Sequence, residues 1–258
     1  KSRTPEKKVN GIRVCRTFLK VSKAVLAETL SEQGISWAED KMNQDTHYTR
    51  VKFRKFLPKL QSVGITTEVI GVVAERLARA DTALETWTDF VIRQFVWIDF
   101  RGFARIPFSV FEKYPQEVKI RVLQKVITTI GQGQKPVSLQ SVEALCAKLP
   151  CYATLGECVL VPHKTGLYVA KEGKYQAKAQ KLQSNVPTRW DRFLITAKEP
   201  CLVRAGSPER KIENIPSIVQ KTFPAVFIQK ELEKEIQIDY KMKNDPLVQI
   251  RFLTQADF

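Results

Sequence analysis

The sequence predicts an α+β fold: a helical bundle with a β-hairpin, followed by a small β-rich C-terminal unit. Apolar residues recur at helical spacing from about residue 22 to 149, a two-residue alternation takes over from Thr154, and Gly- and Pro-bearing segments punctuate both regimes. At 258 residues, 43% apolar and 27% charged, the chain can bury a core, and its composition excludes disordered, collagenous and disulfide-framework classes.

Residues 1–10 (KSRTPEKKVN) are polar and basic and read as a loop. From Ser22 to Leu30 the positions Val21, Val25, Leu26 and Leu30 predict a short amphipathic helix, with Ser22 as cap and Gly34 as stop. A second helix is expected from Tyr48 to Leu60, presenting Arg50, Lys52, Arg54, Lys55 and Lys59, packing Phe53, Phe56 and Leu60 inward, and ending or kinking at Pro58. A long helix follows from Thr66 to about Gln94, with Val69, Val73, Leu77, Ala80, Leu84, Trp87 and Val91 on its core side. Phe95–Ile106 reads as strand, turn and strand around Asp99–Gly102. Helices return at Val110–Tyr114, Pro115–Ile130 and Ser138–Leu149, the GQGQKP loop breaking them. Cys158–Lys171 is a β-hairpin about a His163–Gly166 turn, and 172–188 is the linker candidate. Strands are expected at Trp190–Ile195, Cys201–Arg204, Ala225–Ile228 and Ile236–Tyr240, with a short helix near Pro216–Thr222. The domain reading is 1–62, 63–172, a linker at 173–188, and 189–258.

Charge is the loudest signal. There are 42 Lys and Arg against 27 Asp and Glu, a net +15 that fits a polyanionic partner, nucleic acid before anionic lipid. Residues 1–60 hold 14 basic and 6 acidic side chains and 161–221 hold 12 and 5, so the excess sits in two stretches while the remainder is neutral. Five cysteines at irregular spacing, with His47 and His163 the only histidines, predict neither a metal site nor a disulfide framework; reduced thiols and the absence of a leader point to the cytoplasm. No apolar run approaches the roughly 18–20 residues of a membrane span. The first residue, Lys1, predicts that the chain starts mid-protein.

Three local patterns carry a resemblance. The segment Trp37–Pro58 (WAEDKMNQDTHYTRVKFRKFLP) is similar to W-x-x-D-P-S-N-x-D-x-x-Y-x-R-N-x-x-R, with Asp40, Asn43, Asp45, Tyr48, Arg50 and Arg54 on its named positions. Cys15-Arg16-Thr17-Phe18-Leu19 stands where an Arg-Pro-Leu-Leu turn precedes a helix, and Ala153–Cys158 resembles a T-L-G-G-C hairpin. Read together, in this order and spacing, they resemble the bacterial tRNA(Ile)-lysidine synthetase family over residues 10–172. Lys41 and Met42 replace the Pro-Ser of the pattern, Val51 its Asn, Thr17 its Pro, and Glu157 its second Gly.

The resemblance implies part of an ATP-dependent ligase that joins lysine to C2 of cytidine 34 in the anticodon of a minor tRNA(Ile). This chain would supply tRNA binding and the active-site rim, and would be inactive alone. ATP and Mg2+ are expected on a Ser-Gly-Gly-x-Asp-Ser loop of an N-terminal domain; the eleven glycines here include no adjacent pair, and there is no G-x-x-x-x-G-K-[ST] either. Arg50 and Arg54, four apart on one helix face, are the catalytic candidates because two guanidiniums can meet phosphate as charge develops. Asp40, Asn43, Asp45 and Tyr48 are the structural residues of the rim. Lys52, Lys55, Lys59, Lys174, Lys178 and Lys181 are the tRNA-binding candidates. The partners expected are tRNA(Ile), free lysine and a second copy of the chain, with no membrane. The alternative is a non-catalytic RNA-binding module, although the sequence contains no [KR]-G-[FY]-[GA]-F-V-x-[FY] motif to support it. A basic membrane-surface protein is a third reading, with Tyr48–Lys59 as its only suitable helix.

Overall fold

A computed structural model describes residues 6–9, 12–38, 47–133, 135–208, 211–230, 234–237 and 248–253. It divides into two units, Lys1–Ala74 and Glu75–Phe258.

In the first unit, strands β1 (Glu6–Val9) and β2 (Ile12–Cys15) form an antiparallel hairpin with Val9 opposite Ile12, where a loop was expected. The sequence held the signal: Asn10-Gly11 lies between β-branched residues, a pairing that favours a two-residue hairpin, but the surrounding lysines obscured it. A 3-10 turn (Thr17–Lys20) leads to α1 (Lys23–Glu32). Ser22 Oγ accepts from the Val25 amide at 3.2 Å, and Gly34, at φ +67°, follows the helix end, so both predicted boundaries hold. Helix α2 (Thr49–Gln61) runs past Pro58. Because Pro58 sits in the last turn, it removes a single ladder bond, and the Ser62 amide still reaches the Pro58 carbonyl at 3.1 Å. Its inward face is a correction as well: Phe53 and Phe56 are each about half exposed, and Val51 is the buried residue.

Helix α3 (Thr67–Phe95) matches the predicted long helix, yet only Val91 of its expected core stripe is buried, while Val69, Val73, Leu77 and Trp87 are exposed. The two hairpins of the second unit merge into one antiparallel sheet in the order β3-β4-β7-β6-β5, formed by Trp97–Asp99, Phe103–Ile106, Gly166–Lys171, Cys158–His163 and Ala153–Leu155. Alternation along the strands divides its side chains between two cores. Ala104, Ile106, Leu160, Leu167 and Val169 face Val118, Leu123, Val126, Ile127 and Ile130 of α5 (Gln116–Gly131), with α4 (Phe108–Lys113) and α6 (Leu139–Cys146) completing the layer. Phe103, Val159, Tyr168 and Ala170 point the other way, onto Val219 of α7 (Ser217–Gln220) and Phe223. The helices therefore cover a sheet, and the α+β class holds.

The β5–β6 turn holds Glu157 where the T-L-G-G-C pattern has its second glycine. Gly156 (φ +58°) and Glu157 (φ +63°) are both left-handed, as a two-residue hairpin turn between Leu155 and Cys158 demands, so the glutamate occupies a backbone position that suits glycine. Cys158 is buried beyond it; its thiol donates to the Ile127 carbonyl at 3.4 Å, and burial pushes its pKa up to about 12.

Downstream, β14-β10-β9 (Val248–Phe252, Phe193–Ala197, Thr188–Trp190) and β13-β12-β11-β8 (Lys234–Gln237, Phe223–Lys230, Cys201–Gly206, Gln180–Leu182) form two sheets. Leu182, Trp190, Phe193, Ile195, Val203, Val226 and Ile250 share one core there. Strand β8 lies within the stretch expected as linker and pairs with β11. The strand expected at Trp190–Ile195 is instead two, divided by a turn at Asp191, whose φ is +51°. Residues 238–240 of the last expected strand lie outside the described residues, and β14 was not foreseen.

A buried polar joint ties these layers. Lys171 Nζ donates to Asp191 Oδ1 at 2.6 Å, and Arg192, fully buried, donates to Asp191 Oδ2 and to the Gly102 carbonyl, each at 3.0 Å. Gly102 is at φ +83°, and a Cβ there would stand 2.5 Å from Phe193 Cζ, so the β3–β4 turn needs glycine both for its backbone and for this approach.

Candidate nucleic-acid interface

Helix α2 carries the first basic surface. Arg50, Lys52, Arg54, Lys55 and Lys59 are all exposed, and among the described residues none forms an ion pair. Arg50 and Arg54 lie one turn apart, so two planar donor forks stand on one helical face, with no acidic partner among the described residues. Lys59 falls in the last turn, where a cation suits the helix dipole as well as a phosphate. Tyr48 is the N-cap residue of α2 and is half exposed; no side-chain capping bond is made there. Asp40, Asn43 and Asp45 lie outside the described residues. The first stretch thus brings Tyr48, Arg50 and Arg54 together on consecutive turns.

The second basic stretch is presented differently. Lys174 is exposed but engaged: it pairs with Glu172 Oε1 at 3.0 Å and lies 5.0 Å from the Tyr175 ring centre, and the Glu172 bond raises its pKa. Lys178 and Lys181 are exposed, the former held through its carbonyl, which accepts the Trp190 indole N–H at 2.9 Å, the latter on β8 opposite Leu202. Both lysines ride on well-packed backbone with their ammonium groups facing solvent.

One surface is unsuited to phosphate. Between α3 and α5, Arg121 donates to Asp81, Glu85 and Glu117 at 2.7–2.8 Å, and Lys125 to Asp89 at 2.7 Å. Partial burial opposes charge on Arg121 and Lys125, but their carboxylate partners outweigh it and raise both pKa values. With four carboxylates against two cations, this face repels polyanions. A groove of about 400 Å³ beside it is lined by Asp89, Ile92, Gln124, Lys125, Thr128 and Thr129.

Sequence reasoning did not single out Trp97 and Arg105. They pair across β3 and β4 with the guanidinium 5.5 Å from the indole ring centre, and Trp97 is 47% exposed. Their two-residue alternation predicts a strand, and the signal that points further is an aromatic and a basic residue facing each other across strands, as in sheets that stack nucleobases.

Residues 2–60 match the family model of the PP-loop domain. The chain is 31% identical over 172 residues to the tRNA(Ile)-lysidine synthase of Ruegeria pomeroyi, covering 66% of this chain and 41% of that protein. It is 35% identical to that of Bradyrhizobium diazoefficiens over 54% of this chain and 40% of the relative, and 26% identical to that of Wolbachia pipientis wMel over 93% and 60%. The chain is similar to these tRNA(Ile)-lysidine synthases and spans about 40 to 60% of their length. Among the described residues, no helix is long and apolar enough to cross a membrane.

Proposed function

We propose that the chain forms part of an ATP-dependent, C–N bond-forming ligase that attaches lysine to C2 of cytidine 34 in the anticodon of a minor tRNA(Ile). In this reading it supplies tRNA binding and the rim of the active site, and it is inactive by itself. The observation that carries the reading is the row of exposed cations on α2, which form no ion pair among the described residues and stand within the PP-loop match and in register with the synthase-like pattern.

The described residues do not make a nucleotide cradle. Gly34 follows a helix rather than preceding one, and the sequence contains no paired glycines. In this reading ATP and Mg2+ bind to the part of the synthase that this chain does not span, and the roles assigned here are to phosphate already bound. Arg50 offers forked N–H donors to a phosphate whose charge shifts during transfer, with Arg54 beside it. Lys52, Lys55 and Lys59 on α2, and Lys174, Lys178 and Lys181 downstream, hold the tRNA backbone without reading sequence. Asp40, Asn43, Asp45 and Tyr48 are assigned to the rim of the active site, as the resemblance implies.

Placing Arg50→Ala in a complete synthase carrying this chain tests the assignment. An interaction made mainly in the transition state falls on kcat, and losing one preorganised donor costs on the order of 10²-fold, about 2.7 kcal/mol. Tight tRNA binding with that loss, and partial recovery in Arg50→Lys, is the expected result. Normal turnover with a lowered melting temperature assigns Arg50 to stability instead.

A further inference from the structure

The sheet of the second unit has one face closed by α5. Its other face is only partly covered: Phe223 stacks on Phe103 at 5.5 Å and 17°, and Val219 joins them, so the central strands are occupied by the chain itself. The edge is not. Along one cross-strand row, Trp97 on β3 stands opposite Arg105 on β4, which stands opposite Tyr168 on β7. Tyr168 is buried and its hydroxyl donates to the Asn214 carbonyl at 2.7 Å, so the open end of the row is Trp97 with Arg105.

Four features give that end a direction. The indole is fixed rather than loose, because Phe103 meets it edge-on at 6.0 Å and 85° and is itself fully buried. The Arg105 guanidinium lies over the ring, and among the described residues it has no carboxylate partner; its buried Nε has no hydrogen-bond partner at all. A cation so placed polarises the indole and remains available to an anion. Nearly half of Trp97 is open to solvent, on a chain with net charge +15. Finally, the run Arg101-Gly102-Phe103-Ala104-Arg105-Ile106-Pro107-Phe108 departs from the RNA-recognition strand pattern at only two specified positions, Arg105 for Phe and Ile106 for Val. Those strands stack bases on aromatic residues two apart; here Phe103 is sealed under Phe223, and the next position holds the arginine that backs Trp97.

We propose that Trp97 and Arg105 form a stacking step for one unpaired nucleobase of an RNA ligand, the base lying on the indole and the adjacent phosphate meeting the Arg105 guanidinium. The site rests on the RNA-binding reading and deepens it: the α2 and β8 cations hold phosphates, and Trp97 selects a strand segment whose base is free to stack. Duplex RNA, whose bases are already stacked, gains nothing from it.

The test compares a single-stranded octameric RNA, a duplex of the same length and tRNA(Ile) transcript as ligands for wild type, Trp97→Ala, Trp97→Tyr and Arg105→Gln, with melting temperatures recorded for each. Removing a stacking partner weakens single-strand binding by about fivefold or more. The expected result is that loss in Trp97→Ala, retention in Trp97→Tyr, an intermediate loss in Arg105→Gln, and unchanged duplex binding. Binding of the octamer should also quench tryptophan fluorescence in wild type and not in Trp97→Tyr. Equal octamer affinity in wild type, Trp97→Ala and Arg105→Gln overturns the stacking site while leaving tRNA binding intact. Failure of all three RNAs to bind wild type at low salt overturns the RNA-binding reading and the site with it. If Trp97→Ala unfolds, Arg105→Gln and Trp97→Tyr decide.

Discussion

The two units differ in how they use apolar residues. In the first, Val51 is the only buried hydrophobic among the described residues, and Phe18, Trp37, Phe53 and Phe56 each leave roughly half their surface open or more. In the second, α5 alone buries Val118, Val122, Leu123, Val126, Ile127 and Ile130, and every sheet has a filled face. The difference separates two kinds of work. The first unit leaves cations and aromatics interleaved and exposed on α2, while the second buries its apolar residues in cores and ties its β-layers through a buried ionic joint.

The contrast can be broken at its strongest point first. Asp191→Asn keeps the shape and the left-handed tolerance of the turn but leaves Lys171 and Arg192 buried without their shared carboxylate. Removing one partner of a buried pair costs about 3–5 kcal/mol, so the melting temperature should fall sharply; an unchanged melt would mean that water reaches the joint. Next, Leu123→Ala, at a fully buried position of α5, should cost about 2–5 kcal/mol in denaturant unfolding. Phe53→Ala on exposed α2 should stay within about 1 kcal/mol, since half of that ring is never removed from water. Equal losses at the two positions would erase the distinction between the units. The smallest effect is expected at the β5–β6 turn, where Glu157→Gly relieves a left-handed non-glycine residue and should raise stability by about 1 kcal/mol. A loss there would show that the Glu157 side chain contributes more than its backbone costs.

The same contrast explains what the sequence disclosed. Periodicity located α1, α2, α3 and α5 and both hairpins of the large sheet, because helix and strand repeats are local properties. It could not tell that the hairpins join through β4 and β7, a pairing between residues more than sixty apart, nor that β14 returns to β10. Coverage was misjudged for a related reason: Phe53, Phe56, Val73 and Leu77 have the spacing of a core stripe, but burial depends on what lies opposite. Residue type and spacing single out Arg50, Arg54 and the lysines as candidates, and the structure adds only that they are exposed. Trp97 was hidden because its partner, Arg105, is adjacent only across strands.

The claim that two basic surfaces grip tRNA is tested most directly by the salt dependence of tRNA binding. For wild type, the logarithm of the binding constant should fall steeply and linearly with the logarithm of salt concentration, at about 0.7–0.9 per phosphate neutralised and several phosphates in all. Reversing Lys174, Lys178 and Lys181 to Glu should weaken every tRNA alike and reduce the slope by about one for each phosphate no longer neutralised. Binding that is insensitive to salt, or a reversed variant with the wild-type slope, would contradict the assignment of these surfaces to phosphate.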